Sequence, residues 1–371
     1  MKIIFFGFFF RLSLLVFSAE IFSLPGGDAD AMSFHSEAIQ FSKYYSQKEL
    51  STTLNYDYKI GWYYSVFLGY LYNLFGTTSH FFSSFLSCFF WFLSAIVFRK
   101  IALKLKIKKN DINIALLLYA FLFPTAVVYS IFTLREVYLL FFLNLFALQI
   151  VNIYYAKEIK KIFLYLVYIV IVSFFLILLH KSTPYFLAIF LAVVFFYLII
   201  KKLNINSFAI ILMAIPVIFF LEHNQFFELL LNNIKNHQTG HLERLDSRAS
   251  YLVLGNIKDT DYDIINLAFF ALNNLYNYLF QPTFYFASHA KDILLIYENF
   301  LRLFMLSFIL LKIYSKFEKK SLFIILMLII FVMEIIYAQA TVNWGSASRH
   351  HVPTMGILIL LYFFPSKKII K

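Results

Sequence analysis

The sequence predicts an all-α polytopic integral membrane protein, and three observations lead to this. Of the 371 residues, 61% are hydrophobic and only 14% are charged, whereas a soluble domain is nearer half apolar and a quarter charged. Apolar stretches of about 20 residues, the length that crosses a bilayer as a helix, recur along the chain. Short basic runs separate many of these stretches, which is typical of the cytoplasmic loops of membrane proteins.

The apolar stretches predict about ten transmembrane helices in a single transmembrane domain, 1–371, without an internal repeat or a separate soluble domain. The candidates are 3–22, 80–98, 112–131, 134–155, 162–180, 183–200, 203–221, 293–312, 320–340 and 352–365. A cleaved signal peptide is the alternative for the first stretch. Arg11 interrupts it and Ser18-Ala19-Glu20 is a poor cleavage site, so we expect an uncleaved span.

Charge decides the role of two shorter stretches, 60–75 and 264–281. The basic runs are Arg99 to Lys109, Lys157 to Lys161, Lys201-Lys202, Lys312 to Lys320 and Lys367 to Lys371. All five fall on one face only if neither stretch crosses the membrane. That face then has 19 basic and 3 acidic residues, and the rest of the chain has 13 and 17. Basic loops stay in the cytoplasm, so both termini are expected there.

Both short stretches then become re-entrant or interfacial helices on the outer face. The first is rich in Trp and Tyr, which suit a membrane interface. The second has Asn266, Asn273, Asn277 and Gln281 at spacings that give a polar stripe on one helical face, and Pro282 ends it. The longest outer loops are 23–59 and 222–263.

Composition also bears on partners. The net charge of +12 is spread over short runs between spans, which indicates topology and not nucleic-acid binding. Cys88 is the single cysteine, so no internal disulfide can form.

The first outer loop carries acids and a histidine directly after the first span. Asp28 and Asp30 are two residues apart and His35 follows. Two such carboxylates can share a cation, or one can act as a general base while the other tunes its pKa. The alternative is a solvated loop in which Asp30 or Ser33 is the N-cap of a helix.

Charged residues near other outer span ends are further candidates. Arg135 and Glu136 begin one span, and Arg349 and His350 precede the last. Charge at membrane depth is costly and suggests a role. The alternative for Arg135 and Glu136 is a local ion pair or a snorkelling arginine, and for Arg349 and His350 it is an aromatic-belt loop with a polar tip. Glu298, Asn299 and Arg302 lie within a span, and we expect them to face the bundle interior.

The second outer loop has a basic stripe. His237, His241, Arg244 and Arg248 are four, three and four residues apart, so on a helix they share one face. Arginine can grip a diphosphate with two parallel hydrogen bonds. The two histidines could bind a metal, but the usual accompanying motif is missing. We therefore predict no metal ligands and no cofactor. A divalent metal bound by the acids of the first loop stays open as an alternative.

The layout resembles the GT-C type of membrane glycosyltransferase, on the acidic Gly27-Asp28-Ala29-Asp30, the Gly61-Trp62-Tyr63-Tyr64 stretch and Leu74-Phe75-Gly76. Two further sets of residues resemble O-antigen polymerases (Wzy-like) of bacterial surface-polysaccharide clusters. They are Phe123-Pro124 with Leu134-Arg135-Glu136, and Asn343-Trp344-Gly345 with Arg349. Many GT-C enzymes carry a large soluble domain after their spans, and we expect none here, which favours the compact polymerase type.

This resemblance implies a glycosyltransferase of the bacterial inner membrane whose active site faces the periplasm. Asp28 or Asp30 would be the general base that takes the proton of the acceptor hydroxyl, with His35 as a further catalytic residue. The substrate-binding residues would be Arg135, Glu136, His241, Arg244, Arg248, Arg349 and His350. Partners would be an undecaprenyl-diphosphate-linked glycan and membrane lipid, with a polysaccharide chain-length regulator as a further candidate.

Two alternatives stay open. One is a GT-C enzyme that transfers a single sugar from a polyprenyl-phosphate donor. The other is a transporter or flippase of lipid-linked sugars, because charge at membrane depth also marks transport paths. Internal repeats and broken helices are typical of transporters, and the sequence predicts neither here.

Overall fold

The computed structural model describes residues 1–20, 28–46, 63–203, 264–287, 290–314, 319–341 and 344–365. These residues form helices and connecting turns, and no strand occurs among them. The helices are α1 (Lys2–Glu20), α2 (Asp28–Ser46), α3 (Tyr63–Phe75), α4 (His80–Lys104), α5 (Lys109–Leu117), α6 (Pro124–Tyr129), α7 (Glu136–Tyr155), α8 (Ile159–Leu179), α9 (Thr183–Leu203), α10 (Ile264–Phe280), α11 (Ala290–Ile313), α12 (Lys320–Ala340), α13 (Trp344–His350) and α14 (Met355–Tyr362). Nearly all of the predicted span 203–221, and the loop 222–263, lie outside these ranges.

Within this part of the chain, six helices are long and apolar enough to cross a membrane. They are segments of α1, α4, α7, α8, α11 and α12. Large apolar side chains point away from the protein on α8, where Phe163 is 67% and Val170 is 68% exposed. A contiguous apolar surface of this kind needs an apolar solvent. The chain is therefore a polytopic membrane protein, as the sequence predicts.

The predicted outer stretches contain two helices that pack closely together. α3 has 13 residues and is about 20 Å long, which is short of the roughly 30 Å hydrocarbon core. α2, in the predicted first outer loop, lies against it. Gly69 allows the close approach, because a Cβ there would be 2.6 Å from Phe41 Cβ and 2.8 Å from the Ala38 carbonyl oxygen. Ser65 on α3 also donates to Glu37 on α2 at 2.8 Å.

The predicted span 112–131 is broken. It consists of α5, a π-helical turn at Leu118–Leu122, and α6, which starts at Pro124. Proline lacks the amide hydrogen that would continue the helical hydrogen bonds. The expectation that no helix is broken is therefore wrong, and Pro124 is the physical reason.

Contacts near the basic runs define one end of the bundle. Lys319 donates to the Leu105 carbonyl at 3.1 Å, and its ammonium lies 5.5 Å from the ring centroid of Tyr155. Segments next to three of the predicted cytoplasmic runs therefore meet at the same place, which we call the basic end. The opposite end holds the start of α7 and the ends of α8 and α12, and we call it the site end.

Candidate functional site

Four charged residues meet at the site end: Asp30, Arg135, Glu136 and Arg349, the acid–arginine cluster. Arg349 on α13 donates to the carboxylate of Asp30 on α2. Arg135 Nε lies 3.8 Å from Glu136 Oε1. The Arg135 guanidinium also lies 5.4 Å from the ring centroid of Phe34 on α2. The structure therefore joins three of the regions that the sequence analysis selected separately.

The two acids of the cluster differ sharply in exposure. The Asp30 side chain is 51% exposed, whereas that of Glu136 is 2% exposed. Glu136 is in the first turn of α7, where the helix dipole favours a negative charge. Its Oε2 atom is buried without a hydrogen-bond partner among the described residues. The cluster thus contains a buried carboxylate oxygen that is available for a further interaction.

Arg349 interacts with both of these acids. Burial lowers the pKa of Arg349, but the negative charges of Glu136 and Asp30 outweigh that effect and raise it above its usual value. Glu136 is thus close enough to Arg349 for a substantial electrostatic interaction. The guanidinium remains a cation, with 19% of the side chain exposed.

His35 lies on a different face of α2 from Asp30. Its Nδ1 atom is 2.7 Å from Tyr72 Oη on α3, and its ring packs edge-on against His80 with centroids 5.0 Å apart. Burial first, and the charge of His80 second, lower the pKa of His35. Burial also raises the pKa of Tyr72 to about 12, so the tyrosine keeps its proton, and the histidine tautomer sets which of the two groups donates. This contact fixes α2 on α3.

His350 follows Arg349 in the chain but contacts α12. Its Nδ1 atom is 2.9 Å from Thr341 Oγ1, and its ring stacks on Tyr337 at 4.6 Å between centroids. His180, at the end of α8, packs edge-on against both rings. His350 therefore belongs to the aromatic packing beside the cluster.

The remaining predicted site residues are not placed in the cluster. Asp28 is the first residue of α2, and its side chain is outside the described part of the structure. His241, Arg244 and Arg248 lie outside the described residues as well. Their proposed contact with a diphosphate stays a prediction.

A second set of buried polar residues fills the bundle beside the helix break. Glu298 accepts hydrogen bonds from the backbone amide and the hydroxyl of Thr125, both at 2.6 Å. Arg302 donates to Glu298 at 3.3 Å and to Asn299 at 2.9 Å. Glu298 is 0% and Arg302 is 6% exposed. The prediction that these residues face the interior is confirmed.

Glu334 and His351 form a neighbouring buried pair that the sequence analysis did not identify. His351 Nδ1 is 2.6 Å from Glu334 Oε2, and its Nε2 is 3.1 Å from the Tyr278 carbonyl oxygen. Thr354 donates to the other Glu334 oxygen. A carbonyl only accepts, so Nε2 carries a proton, and a second proton lies between Nδ1 and Glu334. The pair is therefore electrically neutral in total, whichever residue holds the second proton.

One sequence signal could have identified this pair. Glu334 is the only acid in 321–340, an otherwise apolar span, and such a residue normally has a buried partner. Both ring nitrogens of His351 are engaged, so His351 is not positioned as a general base. A narrow pocket bordered by Thr125, Glu298, Arg302, His351 and Thr354 separates the two buried polar sets.

Comparison with known proteins adds no family. No protein-family model, curated protein or solved structure matches the chain.

Proposed function

We propose that this chain is a membrane glycosyltransferase that joins undecaprenyl-diphosphate-linked glycan units in the assembly of O-antigen or another surface polysaccharide. One observation carries the proposal. A buried carboxylate with an available oxygen, Glu136, lies beside two arginines at one end of a membrane bundle. Glycosyl transfer from a diphosphate needs both a base for the acceptor hydroxyl and cations for the leaving group.

The two kinds of side chain have separate roles in the proposed reaction. Arg349 and Arg135 bind the diphosphate of the donor, to which guanidinium groups are well matched. The acceptor oxygen forms a bond to the anomeric carbon while the bond from that carbon to the phosphate oxygen breaks. The diphosphate leaves with the electron pair and stays on the arginines, and the acceptor proton passes to a carboxylate.

Glu136 is better placed than Asp30 to accept the proton in this scheme. Both acids lie beside arginines, so the hydrogen bonds of their oxygens distinguish them, and Asp30 already accepts one from Arg349. Glu136 has an oxygen without a hydrogen-bond partner in the described structure. This shifts the proposed role of base from the first outer loop to the start of α7.

The orientation in the membrane is part of the proposal. Segments beside the basic runs meet at the end opposite the acid–arginine cluster. If that basic end is cytoplasmic, the cluster faces the periplasm of a bacterial inner membrane. This is the side on which the O-antigen polymerases that the chain resembles join lipid-linked units.

Replacing Glu136 tests the proposed reaction. In cells that lack the native chain, Glu136→Gln is expected to lower polymer formation by about 100-fold or more, since general bases contribute roughly that much. Glu158→Gln is the matched control, because Glu158 is an exposed acid paired with Lys161. Gel analysis of polysaccharide length measures the result. Full-length polymer from the Glu136→Gln variant at normal expression would rule out this assignment.

A transporter of lipid-linked sugars is the second candidate, and the helix break at Pro124 favours it. Discontinuous helices with buried charge are typical of transporter sites. The deletion strain separates the possibilities. Loss of a polymerase leaves single repeat units on the cell surface, whereas loss of a transporter leaves them lipid-linked inside. Polymer of normal length that lacks one sugar would instead indicate the single-sugar transferase.

A further inference from the structure

We propose that Asp30 is a displaceable competitor that occupies Arg349 until a more highly charged anion arrives. The proposal rests on the proposed function only in naming a lipid-linked diphosphate as the natural anion. It assigns to Asp30 a regulatory role at the arginine site instead of the catalytic role expected from the sequence.

Exposure decides which acid can leave Arg349. Glu136 is 2% exposed and is fixed at the start of α7, whereas the Asp30 side chain is 51% exposed. A carboxylate that is half in water already keeps much of its hydration, so its release costs little desolvation. Releasing Glu136 from Arg349 would instead leave a buried charge that, among the described residues, only Arg135, 3.8 Å away, compensates. Glu136 therefore keeps Arg349 in place, and Asp30 is the acid that leaves Arg349 when another anion binds.

Charge decides what displaces Asp30. Because Asp30 is half-exposed, its pairing with Arg349 is expected to weaken the binding of another anion by at most about fivefold. A phosphate group carries more charge than one carboxylate and can accept two parallel hydrogen bonds from a guanidinium. A diphosphate that also reaches Arg135 gains a second cation. The site is therefore expected to bind diphosphates and to exclude single carboxylates such as acetate.

The packing of α2 keeps the competitor available. The Gly69 contact and the hydrogen bond between Tyr72 and His35 hold α2 against α3. Asp30 can then leave Arg349 by a rotation of its own side chain and return when the anion departs. No movement of the whole helix is required.

The test measures anion binding to the purified full chain in lipid nanodiscs. Inorganic pyrophosphate in solution is one probe, and farnesyl diphosphate in the nanodisc is the other. Calorimetry compares the natural chain with Asp30→Asn, Arg349→Lys and the double variant Asp30→Asn/Arg349→Lys. Asp111→Asn, at the start of α5, is the matched Asp-to-Asn control. Thermal unfolding checks that each variant is folded.

We expect Asp30→Asn to bind at least one probe two- to fivefold more tightly, and Asp111→Asn to bind like the natural chain. Arg349→Lys should bind about tenfold more weakly, and should abolish the gain from Asp30→Asn. Binding to the natural chain without that gain, or weaker binding by Asp30→Asn, overturns the competitor role and leaves the proposed function standing. A gain with pyrophosphate but not with farnesyl diphosphate supports competition and contradicts a lipid-linked donor. No binding of either probe to any variant overturns both proposals.

Discussion

Arg11 is a charged residue in the middle of the first span, and its surroundings explain its presence there. It is fully buried, and its guanidinium lies 3.6 Å from the ring centroid of Trp91. It donates to the Ala120 carbonyl at 3.0 Å and to Ser130 Oγ at 2.7 Å. Ala120 is four residues before Pro124, which has no amide hydrogen for that carbonyl. Arg11 therefore supplies the donor that the proline removes.

This arrangement predicts that Arg11 and Pro124 are energetically coupled. Pro124→Ala restores an amide that can serve Ala120, so Arg11→Met should cost about 1–2 kcal/mol less in the Pro124→Ala background than in the natural chain. Unfolding of the four proteins in mixed micelles with increasing dodecyl sulfate measures the coupling. Strictly additive effects would show that Arg11 does not replace the missing amide.

At the residue scale, the sequence identified charged residues but not their pairings. The cost of charge near membrane depth is the reason that the sequence could identify four site candidates. They are Asp30, Arg135, Glu136 and Arg349. That Asp30 meets Arg349, 319 residues away, depends on helix packing that no local pattern encodes. The expectation that Asp28 or Asp30 is the catalytic carboxylate and that Glu136 binds substrate was made without knowledge of this pairing.

The α2–α3 pair is the element that brings Asp30 to Arg349. Gly69→Val would place methyl groups where Phe41 and the Ala38 carbonyl already lie, so the helices must separate. We expect lower thermal stability and a loss of the increase in diphosphate affinity caused by Asp30→Asn, because Asp30 would no longer contact Arg349. Leu74→Ala is the control on the same helix, since Leu74 is 61% exposed. The packing would not position Asp30 if two diphosphate affinities stayed unchanged. These are the affinity of Gly69→Val relative to the natural chain, and the affinity of Gly69→Val/Asp30→Asn relative to Asp30→Asn.

At the element scale, hydropathy predicted the long spans well and the irregular elements poorly. α4, α7, α8, α11 and α12 agree with predicted spans because apolar length alone determines a membrane crossing. α2 was treated as part of an outer loop, since a mixed polar segment gives no hydropathy signal. The break at Pro124 was missed because proline is tolerated in continuous membrane helices when neighbouring groups satisfy the freed backbone.

The whole molecule is expected to have its two ends on opposite sides of the membrane. Cys88 is buried and is the only cysteine of the sequence, so Cys88→Ser gives a cysteine-free background. In it, Ser36→Cys on α2 should react with an impermeant maleimide added outside intact cells. Ile159 lies at the basic end and is 84% exposed. A cysteine introduced there by Ile159→Cys should react only after lysis. Labelling of both positions from outside would contradict the orientation.

Charge counting could predict this two-ended organisation without a structure. The basic runs are short and lie between apolar stretches, so their alternation sets the sides. Hydropathy alone does not give the number of spans, because α14, within the predicted span 352–365, has only eight residues. The sequence indicates which interior residues are polar, but the partner of each, such as His351 for Glu334, depends on how the helices pack.

α6 has a consequence for how distant parts of the molecule are joined. At its first turn, Thr125 is bonded to Glu298 of α11, and at its end Tyr129 Oη lies 2.8 Å from Ser348 Oγ. Ser348 directly precedes Arg349. Because α6 is only six residues long and is separated from α5 by the break, it is a short rigid connection between α11 and the arginine of the site. Any axial displacement of α11 must either move the segment that carries Arg349 or break one of these hydrogen bonds.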